Sequence, residues 1–336
     1  MAELFTRLNS ADDVVSNLRQ TVSSGMWSGG VGTLTAFYTS STQSGSSGQY
    51  YYDMYKTNPA SDSNAEVQFS ISYGHVDGSG SLGQTGNYPS KAVYRQFRNV
   101  LLTPGDSQFT FGGSVDSKDC YFLTMNRARL REKMDPGNWE LHIGTGATKV
   151  KLIDDSGATT NPSVNAGGRV FNVVSGSIAT GTAVTKLAAT AQPGGGYGLF
   201  YPDLGIIALN APVAATSASV TRAVGAAGAN SNNAGEFYNS AVLGAYFVSR
   251  REENLNTTHY FCRATNKKFN YSNNPTFFTS SDGSLTNVSF NSDPKSYITT
   301  VGLYNDNNEL LAVAKLSTPI LKSFSREAIV KVKLDY

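Results

Sequence analysis

Charge is the scarcest property of this sequence. Only 15% of its 336 residues are Asp, Glu, Lys or Arg, against about 25% in an ordinary globular chain, and the formal net charge is +2. A balance so close to zero carries no electrostatic footprint for nucleic acid or for an anionic membrane, so neither is expected as a partner. Cysteine is rarer still. Two residues, Cys120 and Cys262, build no disulfide framework, and reduced thiols are expected. The three histidines, His75, His142 and His259, are isolated from one another, and no G-x-S-x-G elbow accompanies them. His259 and Cys262 form an H-x-x-C pair, but on a strand that spacing puts the side chains on opposite faces. Gly74, Gly78 and Gly80 lack the Lys-Ser/Thr ending of a phosphate loop. The pairs Asp12/Asp13, Asp154/Asp155 and Glu252/Glu253 are expected on solvated surface, the first at a helix start and the others in loops. No catalytic residue, metal or cofactor is therefore expected, and the chain is read as a non-enzyme. No apolar run approaches the roughly 20 residues that span a bilayer. The opening residues show no basic segment ahead of an apolar core, so no secretory signal is expected either.

Aromatic and turn-forming residues are plentiful instead: 18 Tyr, 17 Phe and 33 Gly, with Ser, Thr and Asn between short apolar runs. This is the texture of a folded, mainly β chain of antiparallel sheets or a sandwich with a few short helices. The clearest strand in the amino-terminal half is 67–73, where Val67, Phe69, Ile71 and Tyr73 alternate with polar residues. At the other end, 297–304 and 309–316 flank an Asn/Asp turn and read as a hairpin, followed by a turn around Pro319. The run 327–336 then alternates with period two, a strand with one face buried. Further strands are expected at 34–38, 121–133, 139–143, 150–153, 170–174, 204–209, 241–248, 259–264 and 276–279, with a turn at 135–138. Two helices are expected: 11–23, from Val14, Leu18 and Val22 behind a Ser10 cap, and one from Ser90 to about Leu101, stopped by Thr103-Pro104-Gly105. Texture divides the chain into a discontinuous scaffold domain, 1–143 with 255–336, and a Gly/Ala/Ser-rich insertion, 144–254, that is either a domain or an elaboration of loops.

Two clusters stand out as candidate interfaces. Tyr50, Tyr51, Tyr52 and Tyr55 fall within six residues, and strand tyrosines suit subunit interfaces or an ordinary core about equally. Arg127, Arg129, Arg131 and Lys133 alternate, which on a strand would line up four cations on one face. That row suits an inter-subunit contact, cross-strand salt bridges, a solvated face or, least in keeping with the net charge, a nucleic acid.

The segments 297–304 (YITTVGLY) and 309–316 (ELLAVAKL), together with 65–75 (AEVQFSISYGH), 134–141 (MDPGNWEL), 201–206 (YPDLGI) and 271–277 (YSNNPTF), resemble virion structural proteins of T4-like contractile-tailed phages that infect cyanobacteria. The resemblance implies a non-enzymatic assembly subunit present in symmetric copies, made in the host cytoplasm and built into the virion beside other tail and baseplate proteins. The baseplate wedge is the station it favours; a receptor-binding or fibre module recognising host glycan, and a neck or capsid protein, are the alternatives. It assigns no catalytic residues.

Overall fold

The computed structural model describes residues 5–40, 51–81, 89–112, 115–157, 162–178, 196–224, 232–271, 275–279 and 282–336, with only the backbone at 17–19. Its strands are, in chain order, β1 (Val14–Gly25), β2 (Thr33–Leu34), β3 (Tyr51–Tyr55), β4 (Val67–His75), β5 (Phe109–Phe111), β6 (Val115–Ser117), β7 (Asp119–Met125), β8 (Lys133–Ile143), β9 (Val150–Asp154) and β10 (Ser163–Asn165). They continue with β11 (Gly168–Ser175), β12 (Gly198–Tyr201), β13 (Ile206–Asn210), β14 (Phe247–Ala264), β15 (Phe278–Thr279), β16 (Ser284–Leu285), β17 (Lys295–Tyr304), β18 (Leu310–Ser323) and β19 (Ala328–Asp335). Four α-helices are described: α1 (Pro89–Leu101), α2 (Arg127–Leu130), α3 (Ala211–Ala218) and α4 (Asn233–Gly244). The protein is mainly β, and its sheets are antiparallel.

The chain falls into two compact units, Met1–Thr21 with Asn254–Tyr336, and Val22–Glu253. The division passes through β1 and β14. Inside the larger unit one sheet runs in the order β14, β8, β9, β11, β12, β13, β7, β4, β3. The boundary expected at 143/144 falls between β8 and β9, which pair directly. One face of this sheet is covered by α3 and α4, with Trp27, Phe69, Trp139, Phe200, Phe237 and Phe247 in the core. On the other face α1 and β5 cover Cys120, Phe122 and Ala208. Helix α1 can lie close because β4 carries Gly74 beneath it: a Cβ there would stand 2.9 Å from the backbone of Tyr94. Strand β7 is buried nearly throughout, so its side chains feed both cores.

Several local expectations are corrected. Residues 11–23 do not form a helix; β1 occupies Val14–Gly25, because apolar residues spaced by four also share one face of a strand. The expected strand 121–133 ends at Met125; Asn126 caps α2 by accepting from the Ala128 N–H, and the chain turns at Arg131. The expected turn at 135–138 is an irregularity within β8, where Gly137 takes φ 81° and the register against β14 shifts. The expected strand 241–248 begins as the last turn of α4 and becomes strand only at Phe247. Helix α1 forms where expected, but Pro89 opens it, and the Ser90 hydroxyl donates to the Ser79 carbonyl.

In the smaller unit β19 pairs with β14 over eight residue pairs, from Thr257↔Asp335 to Ala264↔Ala328. Ala328, Val330 and Val332 are buried while Ile329, Lys331 and Lys333 are exposed, the alternation expected of that strand. Strands β17 and β18 form a sheet of their own. The expected turn around Pro319 is absorbed as a bulge: Ile298 pairs with Ile320 and Thr300 with Lys315, so β18 continues beyond it to Ser323.

Candidate functional site

The four cations of 127–133 do not share a strand face. Three of them lie on or beside α2 and Lys133 opens β8. Three find carboxylates within the larger unit: Arg129 with Glu66 at 3.1 Å, Arg131 with Glu253 at 3.1 Å and Lys133 with Glu252 at 3.0 Å. Pairs open to solvent contribute little to stability, as at Arg131 with 57% of its side chain exposed; among the described residues Arg127 forms no such ion pair. Glu252 and Glu253 thus belong to β14 rather than to a loop.

The tyrosine cluster divides by strand alternation. Tyr52 is buried, its ring stacked on Tyr238 at 5.7 Å and its hydroxyl accepting from the Asn232 side-chain amide. Tyr55 is half-buried and exchanges backbone hydrogen bonds with Tyr38. Tyr51 points to the opposite face and is 47% exposed. Tyr50 lies outside the described residues.

Two polar clusters inside the larger unit escaped the sequence reading. The first is centred on Asp119, which is 1% exposed. It receives the Arg222 guanidinium through Nε (2.5 Å) and a terminal nitrogen (3.0 Å), and the Tyr73 hydroxyl at 2.9 Å. Burial and then the Asp119 charge push the Tyr73 hydroxyl far above the usual tyrosine range. The hydrogen bond to Asp119 raises Arg222, outweighing its partial burial. The second joins Glu140 and His142, two apart on β8 and therefore on one face. His142 Nε2 lies 2.5 Å from a Glu140 carboxylate oxygen, and the other oxygen accepts from the Ser177 hydroxyl and the Ile178 N–H. Burial holds His142 below its ordinary value, against the opposing pull of Glu140. Burial pushes Glu140 up, but the bonds from His142, Ile178 and Ser177 outweigh it and leave the carboxyl below its usual range. An E-x-H pair on a strand was the available signal.

Asp154 and Asp155 are also buried, contrary to the surface expected for them. Asp154 accepts from the Gly137 and Ser156 N–H groups, and Asp155 from the backbone and side-chain amides of Asn172. They fasten irregular backbone, including the β8 bulge. His259 and Cys262 stand on β14, three residues apart, and Cys120 is wholly buried. Among the described residues no group of three or more His, Cys, Asp or Glu side chains is placed to hold a metal ion.

Exposed apolar side chains gather in the smaller unit. The β17–β18 ribbon leaves Tyr297 64%, Leu311 68% and Val313 59% exposed. Val313 stands opposite Gly302, and Lys315 opposite Thr300. Gly302 is roofed by Tyr304, whose ring would be 2.9 Å from a Cβ placed there. Val301, Leu303, Ala312 and Ala314 line the other face and are half-buried. A two-stranded hairpin is marginal in water by itself, and apolar surface gathered on an open-edged ribbon marks a protein interface or an aggregation hazard.

No protein-family profile matches the chain, and no curated protein or solved structure matches it.

Proposed function

We propose that this protein is a structural subunit of a bacteriophage virion, a baseplate (wedge) component of a contractile tail that acts through protein–protein assembly. The observation that carries the reading is the β17–β18 ribbon, with its exposed Tyr297, Leu311 and Val313 and, among the described residues, no third strand paired to it. The same ribbon is built from two of the six segments, 297–304 and 309–316, that carry the sequence resemblance to tail proteins. Burial of such a ribbon against neighbouring subunits supplies aromatic and aliphatic anchors of the kind that dominate interface energetics. Mass spectrometry of purified particles tests the proposal: the chain is expected in stoichiometric amount in tails. Its presence only in the infected-cell lysate would overturn it.

A further inference from the structure

A groove in the larger unit runs between α1 and the edge of the sheet, with a volume of about 490 Å³. That lies within the ~300–1,000 Å³ usual for small-molecule sites. Its walls come from two elements. Tyr51 stands on the edge strand β3, and Val93 and Phe97 stand on α1, four residues apart and so on one helical face. Phe97 is fixed by stacking on Phe122 at 4.1 Å.

The floor departs from what sheet packing under a helix calls for. Cross-strand register puts Tyr51 opposite Ser72, and Ser70 opposite both Asp53 and Thr124, so these side chains share one face. Beneath the rest of α1 that face carries Phe122 and Ala208. Within the groove it carries three hydroxyls, with Gln96 above them from the helix. Ser70 is engaged with Asp53 at 2.5 Å. Ser72, Thr124 and Gln96 also line the cavity, and their side chains are neutral donors and acceptors. Among the described residues no lysine or arginine lines it.

We propose that this groove binds a neutral pyranose ring of a carbohydrate. A sugar presents an apolar C–H face, which suits the rings of Tyr51 and Phe97, and a rim of hydroxyls, each both donor and acceptor, which suits Ser72, Thr124 and Gln96. The absence of a lining cation disfavours phosphate and carboxylate ligands, and the polar floor disfavours a wholly apolar one. This inference stands apart from the assembly reading, since it uses the larger unit and not the ribbon.

Saturation-transfer NMR on the full chain tests it, with glucose, galactose, mannose, N-acetylglucosamine and the β1,4-linked oligomer of the last as probes. Ring protons of at least one pyranose are expected to receive saturation. The signal should fall at least fivefold in Ala92→Trp, which fills the groove from an exposed helical position, and in Tyr51→Ala. Thr124→Val, which keeps the shape and removes a hydroxyl, should weaken it severalfold. Unchanged thermal melting of Ala92→Trp shows that the fold survives. No transfer from any probe, or a signal that Ala92→Trp leaves intact, would overturn the proposal whatever the virion composition proves to be.

Discussion

Asp119 and His142 show how much of this molecule rests on single polar side chains in an otherwise weakly charged chain. Asp119 is enclosed with Arg222 and Tyr73 as partners. Replacing it by Asn removes the charge to which Arg222 and Tyr73 are bonded; because the guanidinium stays partly exposed, the loss is about 1–3 kcal/mol. A clear drop in the urea midpoint of Asp119→Asn is expected, and a wild-type midpoint would contradict the account. His142 sets a pH dependence. Its folded value lies below the ordinary 6.5, so below pH 6.5 the unfolded chain binds the more protons. The stability it contributes is complete above pH 6.5 and declines as the pH falls through the folded value. Glu140 acts in the same direction below its ordinary 4.5, and His75, also depressed by burial, adds to the histidine portion. Urea midpoints measured from pH 8 to pH 4 should therefore fall on acidification. In His142→Gln the fall below pH 6.5 should be shallower, whereas an identical slope would remove His142 from the explanation. None of these pairings except Glu140–His142 could be read from spacing, because Asp119 and Arg222 are 103 residues apart.

Among the elements, those with strict alternation were legible. Strands β4 and β19 stand where period two puts them, since a sheet with one wet face imposes that pattern on sequence, and the β17–β18 hairpin stands where its Asn/Asp turn puts it. The misreadings have physical causes. Val14, Leu18 and Val22 satisfy helical spacing and strand spacing alike, and strand pairing prevailed. Helices α3 and α4 bury Ala211, Ala214, Ala218, Ala234 and Ala241, small residues that leave little amphipathic contrast, though Pro212 in the first turn of α3 and the Asn232 cap of α4 were usable start signals. Gly74 tests the helix-on-sheet contact. Gly74→Ala sets a methyl against the Tyr94 backbone and should destabilise the protein by about 1–3 kcal/mol, as overpacking does, read as a lower urea midpoint. The ribbon behaves in the opposite way. Val313 is exposed, so Val313→Asp should leave the unfolding free energy within about 0.5 kcal/mol while abolishing incorporation into particles, which electron microscopy and protein composition of the assembled tails would report. Normal incorporation would separate the ribbon from assembly.

At the scale of the whole chain, the smaller unit depends on residues far apart in sequence. Strand β19 closes the edge of β14 from Thr257 to Ala264. A chain lacking 328–336 should lose amide-exchange protection across 257–264 while β4 and β7, within the larger unit, keep theirs; unchanged protection at 257–264 would show that the pairing is dispensable. Sequence texture grouped 1–143 with 255–336 and set 144–254 apart, whereas the compact units are Met1–Thr21 with Asn254–Tyr336, and Val22–Glu253; sheet pairing across 143/144 joins segments of unlike composition. We propose that the protein is built into a phage tail through its ribbon. The most direct measurement is a cryo-EM reconstruction of the purified virion at side-chain resolution. The account predicts symmetric copies of this chain in the baseplate, with Tyr297, Leu311 and Val313 covered by a neighbouring subunit. A particle without the chain, or with the ribbon left facing solvent, would contradict it.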